Sequence, residues 1–229
     1  MRAASLLIIA SVAVPAYGAQ CAAQSGPGTA ALVELYTSKG CSTCPPADQW
    51  LATLGPRHAA GRVVPLALHV HYRDYVDSKE PYARRKLSHL QRMALVYVPR
   101  VMLQGRDFRD WAAKAFDDEV ARINAQPAKA RLRLEVIGKG PSGLDVQATA
   151  ELVEPAGDAV LYLAAYQSGL ESHQVVLEWL GPVPLRDGVS ERRTLPLLPG
   201  ASAEYSGVAA FVQDRRTGAV LQALLRPPC

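Results

Sequence analysis

The chain has 229 residues, of which 49% are apolar and 20% charged, with a formal net charge of +4. That balance excludes a disordered chain and supplies a core for one large domain or two small ones. The Lys and Arg residues are scattered, so no basic stripe points to nucleic acid, and the densest group, Arg84, Arg85 and Lys86, reads as a solvated helix face.

Residues 1–18 read as a signal peptide. Arg2 supplies the positive head, residues 6–14 form an apolar run too short to span a bilayer, and Ala16-Tyr17-Gly18 offers small residues for cleavage after Gly18. No later run reads as a membrane helix, so the mature chain is expected to be periplasmic or secreted, in an oxidising space. Residues 19–29, AQCAAQSGPGT, are small and polar and read as a tether.

Residues 30–36 form an apolar strand pattern interrupted by Glu34, and 37–43 a turn. Pro45 and Pro46 suit the first turn of a helix whose apolar side carries Trp50, Leu51 and Leu54 and which Gly55-Pro56 is expected to stop. A second apolar run, 63–70, predicts a central strand beginning after Pro65. Polar residues 72–80 precede a helical pattern over 81–95; 101–103 reads as a short strand turning at Gln104-Gly105; and Phe108 to Ile123 marks an amphipathic helix. After Pro127 the period changes to two. Arg131 to Val136 alternates strictly, and strands are expected over 144–153, 159–167, 173–180, 191–197, 205–213 and 219–226. The expected organisation is an α/β N-terminal domain over 30–127, followed by an all-β sandwich-like C-terminal domain over 128–229.

Four cysteines are present: Cys21, Cys41, Cys44 and Cys229. Cys21 lies near the mature N-terminus and Cys229 is the last residue; because domain termini are often close together, these two are expected to form a structural disulfide. The other pair forms a CxxC between a strand and a helix, the context in which that spacing reads as a redox motif. Free amides and the positive dipole end of a helix stabilise a thiolate. Cys41 is then the attacking sulfur and Cys44 the resolving one. Pro99, ahead of the strand at 101–103, is the candidate for a substrate-docking proline with a cis bond. Glu34 reads equally as a buried acid that moves protons and as an edge-facing or salt-bridged carboxylate.

Three segments carry a family resemblance: VELYTSKGCSTCPPAD (33–48), ALHVHYRDYVDSKEPYA (67–83) and VPRVMLQG (98–105). With them the chain resembles the secreted thioredoxin-like family known as domain of unknown function 1223. AAYQSGLESHQVVLEWLG (164–181) resembles that family more loosely. The resemblance implies a thioredoxin-like fold and no particular activity. The chain departs from the family pattern at His71, Arg73, Asp77-Ser78 and Val98.

The functional expectation is thiol–disulfide exchange with a protein substrate or redox partner in the cell envelope, by a thiol-disulfide oxidoreductase without a cofactor. The alternatives are a non-catalytic binding module, in which Cys41 and Cys44 only staple the turn, and a copper-handling protein using Cys41, Cys44 and His69. Two thiolates and one imidazole suit a soft metal ion. Against that, His69 also reads as a core histidine, and His71, two residues on, points to the opposite strand face. Tyr72, Tyr75 and Tyr82 with Asp74 and Asp77 read either as a groove lining or as a solvated loop.

Overall fold

A computed structural model of the chain describes residues 21–38, 40–70, 97–169 and 174–229. The segments expected as a signal peptide (1–18) and as a helix (81–95), with His71 and the tyrosine-rich segment, lie outside the described residues. In chain order the elements are β1 (Ala22–Gln24), β2 (Ala31–Thr37), α1 (Pro45–Arg57), β3 (Val63–His69), β4 (Arg100–Leu103), β5 (Arg106–Asp107), α2 (Lys114–Asn124), β6 (Ala130–Gly140), β7 (Gly143–Leu152), β8 (Ala159–Gln167), β9 (Val175–Pro184), β10 (Gly188–Pro196), β11 (Ser206–Asp214) and β12 (Val220–Arg226).

The strands form two sheets. One has four strands in the order β1-β6-β7-β10; the other has eight, in the order β12-β11-β8-β9-β3-β2-β4-β5. This overturns the expected fold class. The segment before residue 127 does not own a separate α/β sheet. Its strands are one half of a mixed sheet whose other half is β8, β9, β11 and β12. The join is at β3 and β9, which run parallel with Ala67 opposite Val175, and Ala67 N–H donates to Gln174 O at 3.0 Å. Within the stretch expected as a tether, Ala22–Gln24 pairs antiparallel with β6.

Side-chain alternation assigns the layers. On β2, Ala31, Val33 and Leu35 face α1 and α2, meeting Leu51, Leu54, Phe116, Val120 and Ile123. On the other face, Leu32 and Tyr36 share a core with Leu66 and Leu68 of β3, Met102 of β4, Tyr162 of β8, Trp179 of β9 and Phe211 of β11. The large sheet therefore curls about one apolar filling. One edge folds back onto the middle of the sheet: β12 packs against β2 and β3, and Gln222 of β12 accepts the Ala30 N–H at 2.8 Å while donating to Gly28 O at 3.0 Å. The second core lies between the outer face of β8 and β11, with Leu161, Leu163, Val208 and Ala210, and the small sheet, with Leu132, Leu134, Val146 and Ala148.

Several local readings shift. β3 begins at Val63 and passes through Pro65. The Ala67 N–H is directed toward β9, and Pro65, two residues earlier, shares that side, so its missing donor does not interrupt the β2–β3 ladder. α1 continues through Gly55-Pro56 to Arg57, because a proline in the last turn deletes only one bond and His58 N–H still reaches Leu54 O. α2 starts at Lys114 rather than near Phe108, since Arg106–Asp107 is taken into a hairpin with β4. The turn of that hairpin, Gln104 and Gly105, has φ of 52° and 76°, as a primed turn requires. Gly105 also has no room for a side chain. A Cβ there would run into the Gly218 carbonyl of the β11–β12 hairpin.

Candidate functional site

β2 ends at Thr37, and the chain turns back on itself before entering α1. Cys41 N–H donates to Ser38 O at 3.1 Å, and Cys44 N–H to Cys41 O at 3.4 Å. Cys44 is the N-cap of α1, and its carbonyl accepts from Ala47 N–H at 2.9 Å and Asp48 N–H at 3.1 Å. Cys41 and Cys44 are joined in a disulfide with a Cα–Cα distance of 5.5 Å. The two sulfurs are not equivalent. Cys44 is 1% exposed, whereas Cys41 is only half-buried.

The helix entrance differs from the expected one. Pro45 and Pro46 occupy the first two helical positions and carry no N–H. The next amide, Ala47, is taken by the Cys44 carbonyl. No free first-turn amide is left for a thiolate, so only the helix dipole acts from that direction. The Thr43 hydroxyl lies 3.4 Å from the Cys41 Sγ. A hydroxyl that donates to a sulfur anion favours the ionised form.

Strand register gathers the other candidates at the same end of the large sheet. Thr37 pairs with His69 on β3, and Tyr36 with Arg100 on β4, so Pro99 lies beside Thr37, next to the turn that carries Cys41. The Val98–Pro99 bond is cis. Pro99, Tyr97, Val101, Phe108, Arg109 and Trp111 line an open pocket of about 350 Å³. Trp111 is held from below by Trp50 of α1, with ring centroids 5.0 Å apart.

An electrostatic cluster braces the pocket. Arg100, nearly buried, reaches Asp107 Oδ1 from its Nε at 3.2 Å. Tyr97 donates its hydroxyl to the same carboxylate at 3.0 Å, and the Arg100 guanidinium lies 5.4 Å from the Tyr97 ring centre. Burial, and then the bond to Asp107, push the Tyr97 hydroxyl's pKa up. Arg109, 80% exposed, is the cation at the rim and stands 3.6 Å from Asp107.

Glu34 is fully buried, but alternation puts it with Leu32 and Tyr36, on the face of β2 away from α1. Thr37 lies on the helix side of β2 with Ala31, Val33 and Leu35, and its hydroxyl donates to Asp48 Oδ2 at 3.1 Å. Sequence reasoning overlooked both Thr37 and Asp48. The usable signal was the four-residue spacing of Cys44 and Asp48, which places the two on one helix face.

His69 shares the helix-side face with Thr37. Among the described residues, no group of three His, Cys, Asp or Glu side chains is placed to hold a metal ion. Cys21 and Cys229 form the second disulfide, with a Cα–Cα distance of 5.5 Å, and no cysteine is free. Among the described residues no helix is long and apolar enough to cross a membrane.

Similar proteins bear on the fold. HBP35 of Porphyromonas gingivalis superposes with a TM-score of 0.66 at 16% identity, over 89% of this chain and 76% of that one. A domain of the outer membrane lipoprotein Omp28 from Porphyromonas gingivalis aligns over 44% of this chain and 88% of that one, with a TM-score of 0.31 and 14% identity. No curated protein sequence matches the chain. A family model described as "Protein of unknown function (DUF1223)" matches residues 32–177, from β2 through the cysteine pair and Pro99 into β9, and the chain belongs to that family.

Proposed function

We propose that the protein is exported and exchanges disulfides with an envelope or secreted protein through Cys41 and Cys44. The carrying observation is the asymmetry at the head of α1: a half-buried sulfur joined to one that is buried at the N-cap. In the reduced protein the Cys41 thiolate attacks a partner disulfide, one partner sulfur leaves as thiolate, and a mixed disulfide forms. Cys44 then attacks Cys41 Sγ, the second partner sulfur leaves, and the pair is restored as seen here. The partner gains two electrons and the cysteine pair loses them; the same steps run backward when the pair oxidises a partner. The Thr43 hydroxyl and the helix dipole favour the Cys41 thiolate, and the partner chain docks beside Pro99 with the aromatic pocket next to it. Export is supported by residues 1–18 of the sequence and by two disulfides, which persist in oxidising compartments.

The test is trapping. In a Cys44→Ala variant, Cys41 should accumulate mixed disulfides in the native compartment, and a Cys41→Ala variant should not. In the reduced wild type, Cys41 should alkylate much faster than Cys44, with a thiolate pKa below the free value of about 8.5. Slow, equal labelling of the two cysteines without adducts would reduce the pair to a staple.

A further inference from the structure

Resolution of a mixed disulfide requires Cys44 to lose a proton. Only the thiolate attacks, and burial disfavours it. With 1% exposure, Cys44 cannot hand that proton freely to bulk water. A base must stand next to it. Glu34 does not, because it faces the other side of β2.

Asp48 does. Cys44 already has helical backbone angles, φ −78° and ψ −33°, and its carbonyl accepts the Asp48 N–H at 3.1 Å. The two residues are therefore one turn apart on the same face of α1. The carboxylate is anchored. Thr37, fully buried at the end of β2, donates to Oδ2 at 3.1 Å, and among the described residues no donor engages Oδ1. A half-buried carboxylate with one oxygen fixed by Thr37 is arranged to accept a proton.

We infer that Asp48, held by Thr37, is the proton acceptor for Cys44. The inference rests on the exchange reading. In the resolving step the Cys44 S–H bond breaks and its proton moves to Asp48. The Cys44 sulfur forms a bond to Cys41 Sγ, and the Cys41–partner bond breaks with its electron pair leaving on the partner thiolate. In the reverse direction Asp48 returns the proton to Cys44 as that sulfur departs.

The experiment separates the two chemical steps in the full-length mature protein. Reduced protein is mixed with the symmetrical disulfide of thionitrobenzoate, and the two releases of coloured thiolate are timed by stopped flow. The first release reports Cys41 attack; the second reports resolution by Cys44. In Asp48→Asn the second release should slow by about 100-fold near neutral pH, within the usual range for loss of a general base. It should recover as rising pH ionises Cys44 directly, while the first release stays within about twofold, since it does not use the base. Asp48→Glu, which keeps a carboxylate, should restore most of the rate and the wild-type pH profile; it also carries the test if the Asn variant folds poorly. Unchanged resolution in Asp48→Asn across the pH range overturns the inference, as does equal slowing of both releases, which would mean a structural role only. Absence of any first release from wild type removes the exchange reading itself, so the two failures are distinguishable.

Discussion

Phe211→Ala is the sharpest test of the architecture. Phe211 lies on β11, late in the chain, is fully buried, stacks on Tyr162 with centroids 5.0 Å apart and meets Trp179 in a tilted pair at 5.5 Å. Truncating a buried Phe costs about 3–5 kcal/mol. Each aromatic pair is worth about 0.5–1.5 kcal/mol beyond its buried area, so the upper end, about 5 kcal/mol, is expected here. In a chain of this size that corresponds to a drop of roughly 10–20 °C in Tm. The decisive point is where the destabilisation is felt. Phe211 shares its core with Leu32, Leu66 and Met102 from the first half of the chain. Trp50 and Trp111 meet as a tilted pair in the helix layer of that half, so in a Trp179→Phe background tryptophan emission reports only on it. Emission and far-ultraviolet circular dichroism should show one coincident transition, moved by the full amount in Phe211→Ala. An emission transition that stays put while the dichroism shifts would refute a common core.

Three further outcomes follow from the same architecture. Cys21→Ser should lower stability by up to about 5 kcal/mol in urea titration, because the bond closes a separation of 208 residues, whereas Cys41–Cys44, separated by 3, constrains the unfolded chain far less; a change below about 1 kcal/mol would contradict the chain-entropy argument. Gly207→Ala should cost about 3 kcal/mol or more by overpacking, since the new Cβ would stand 2.5 Å from both the Tyr166 ring end and the Arg226 carbonyl, and it should also break the Tyr166 hydroxyl bond to that carbonyl. Tyr166→Phe should not rescue it, because the carbonyl clash remains. His58 has a pKa below its ordinary 6.5, first because it is buried and despite the neighbouring Asp117, with Arg57 and Arg62 also opposing its charge. The unfolded chain then takes up the proton first, so the His58 contribution is intact above pH 6.5 and is lost as pH falls through the folded value. His58→Gln should therefore show a smaller fall in Tm between neutral pH and pH 5 than wild type, and parallel melting curves would sink this assignment.

What the chain's order of residues determined was local. Strict alternation marked β6, short strand segments set off by Gly, Pro and Asp turns marked β7, β8, β11 and β12, the Gln104-Gly105 pair marked a hairpin, and paired prolines after Cys44 marked a helix start, because each of these depends on neighbours a few residues away. The cysteine segment also carried the family. Tertiary structure decided which edges pair. β3 and β9 are joined in parallel at Ala67 and Val175, across more than a hundred residues of chain, and no periodicity encodes that choice. The same holds for the site. Glu34, in an apolar run, read equally as a proton-moving acid and as an edge-facing or salt-bridged carboxylate; strand alternation turns it to the face away from α1, while Thr37, three residues on, faces the helix and meets Asp48. The prolines had a second effect that sequence reasoning missed: by lacking N–H groups they strip the helix entrance of donors, so stabilisation of a sulfur anion at Cys41 passes to the Thr43 hydroxyl and the dipole. Which face each strand residue takes is set only when the sheet curls and the helix docks on it; those two events turn Glu34 away from α1 and bring the Thr37 hydroxyl onto Asp48.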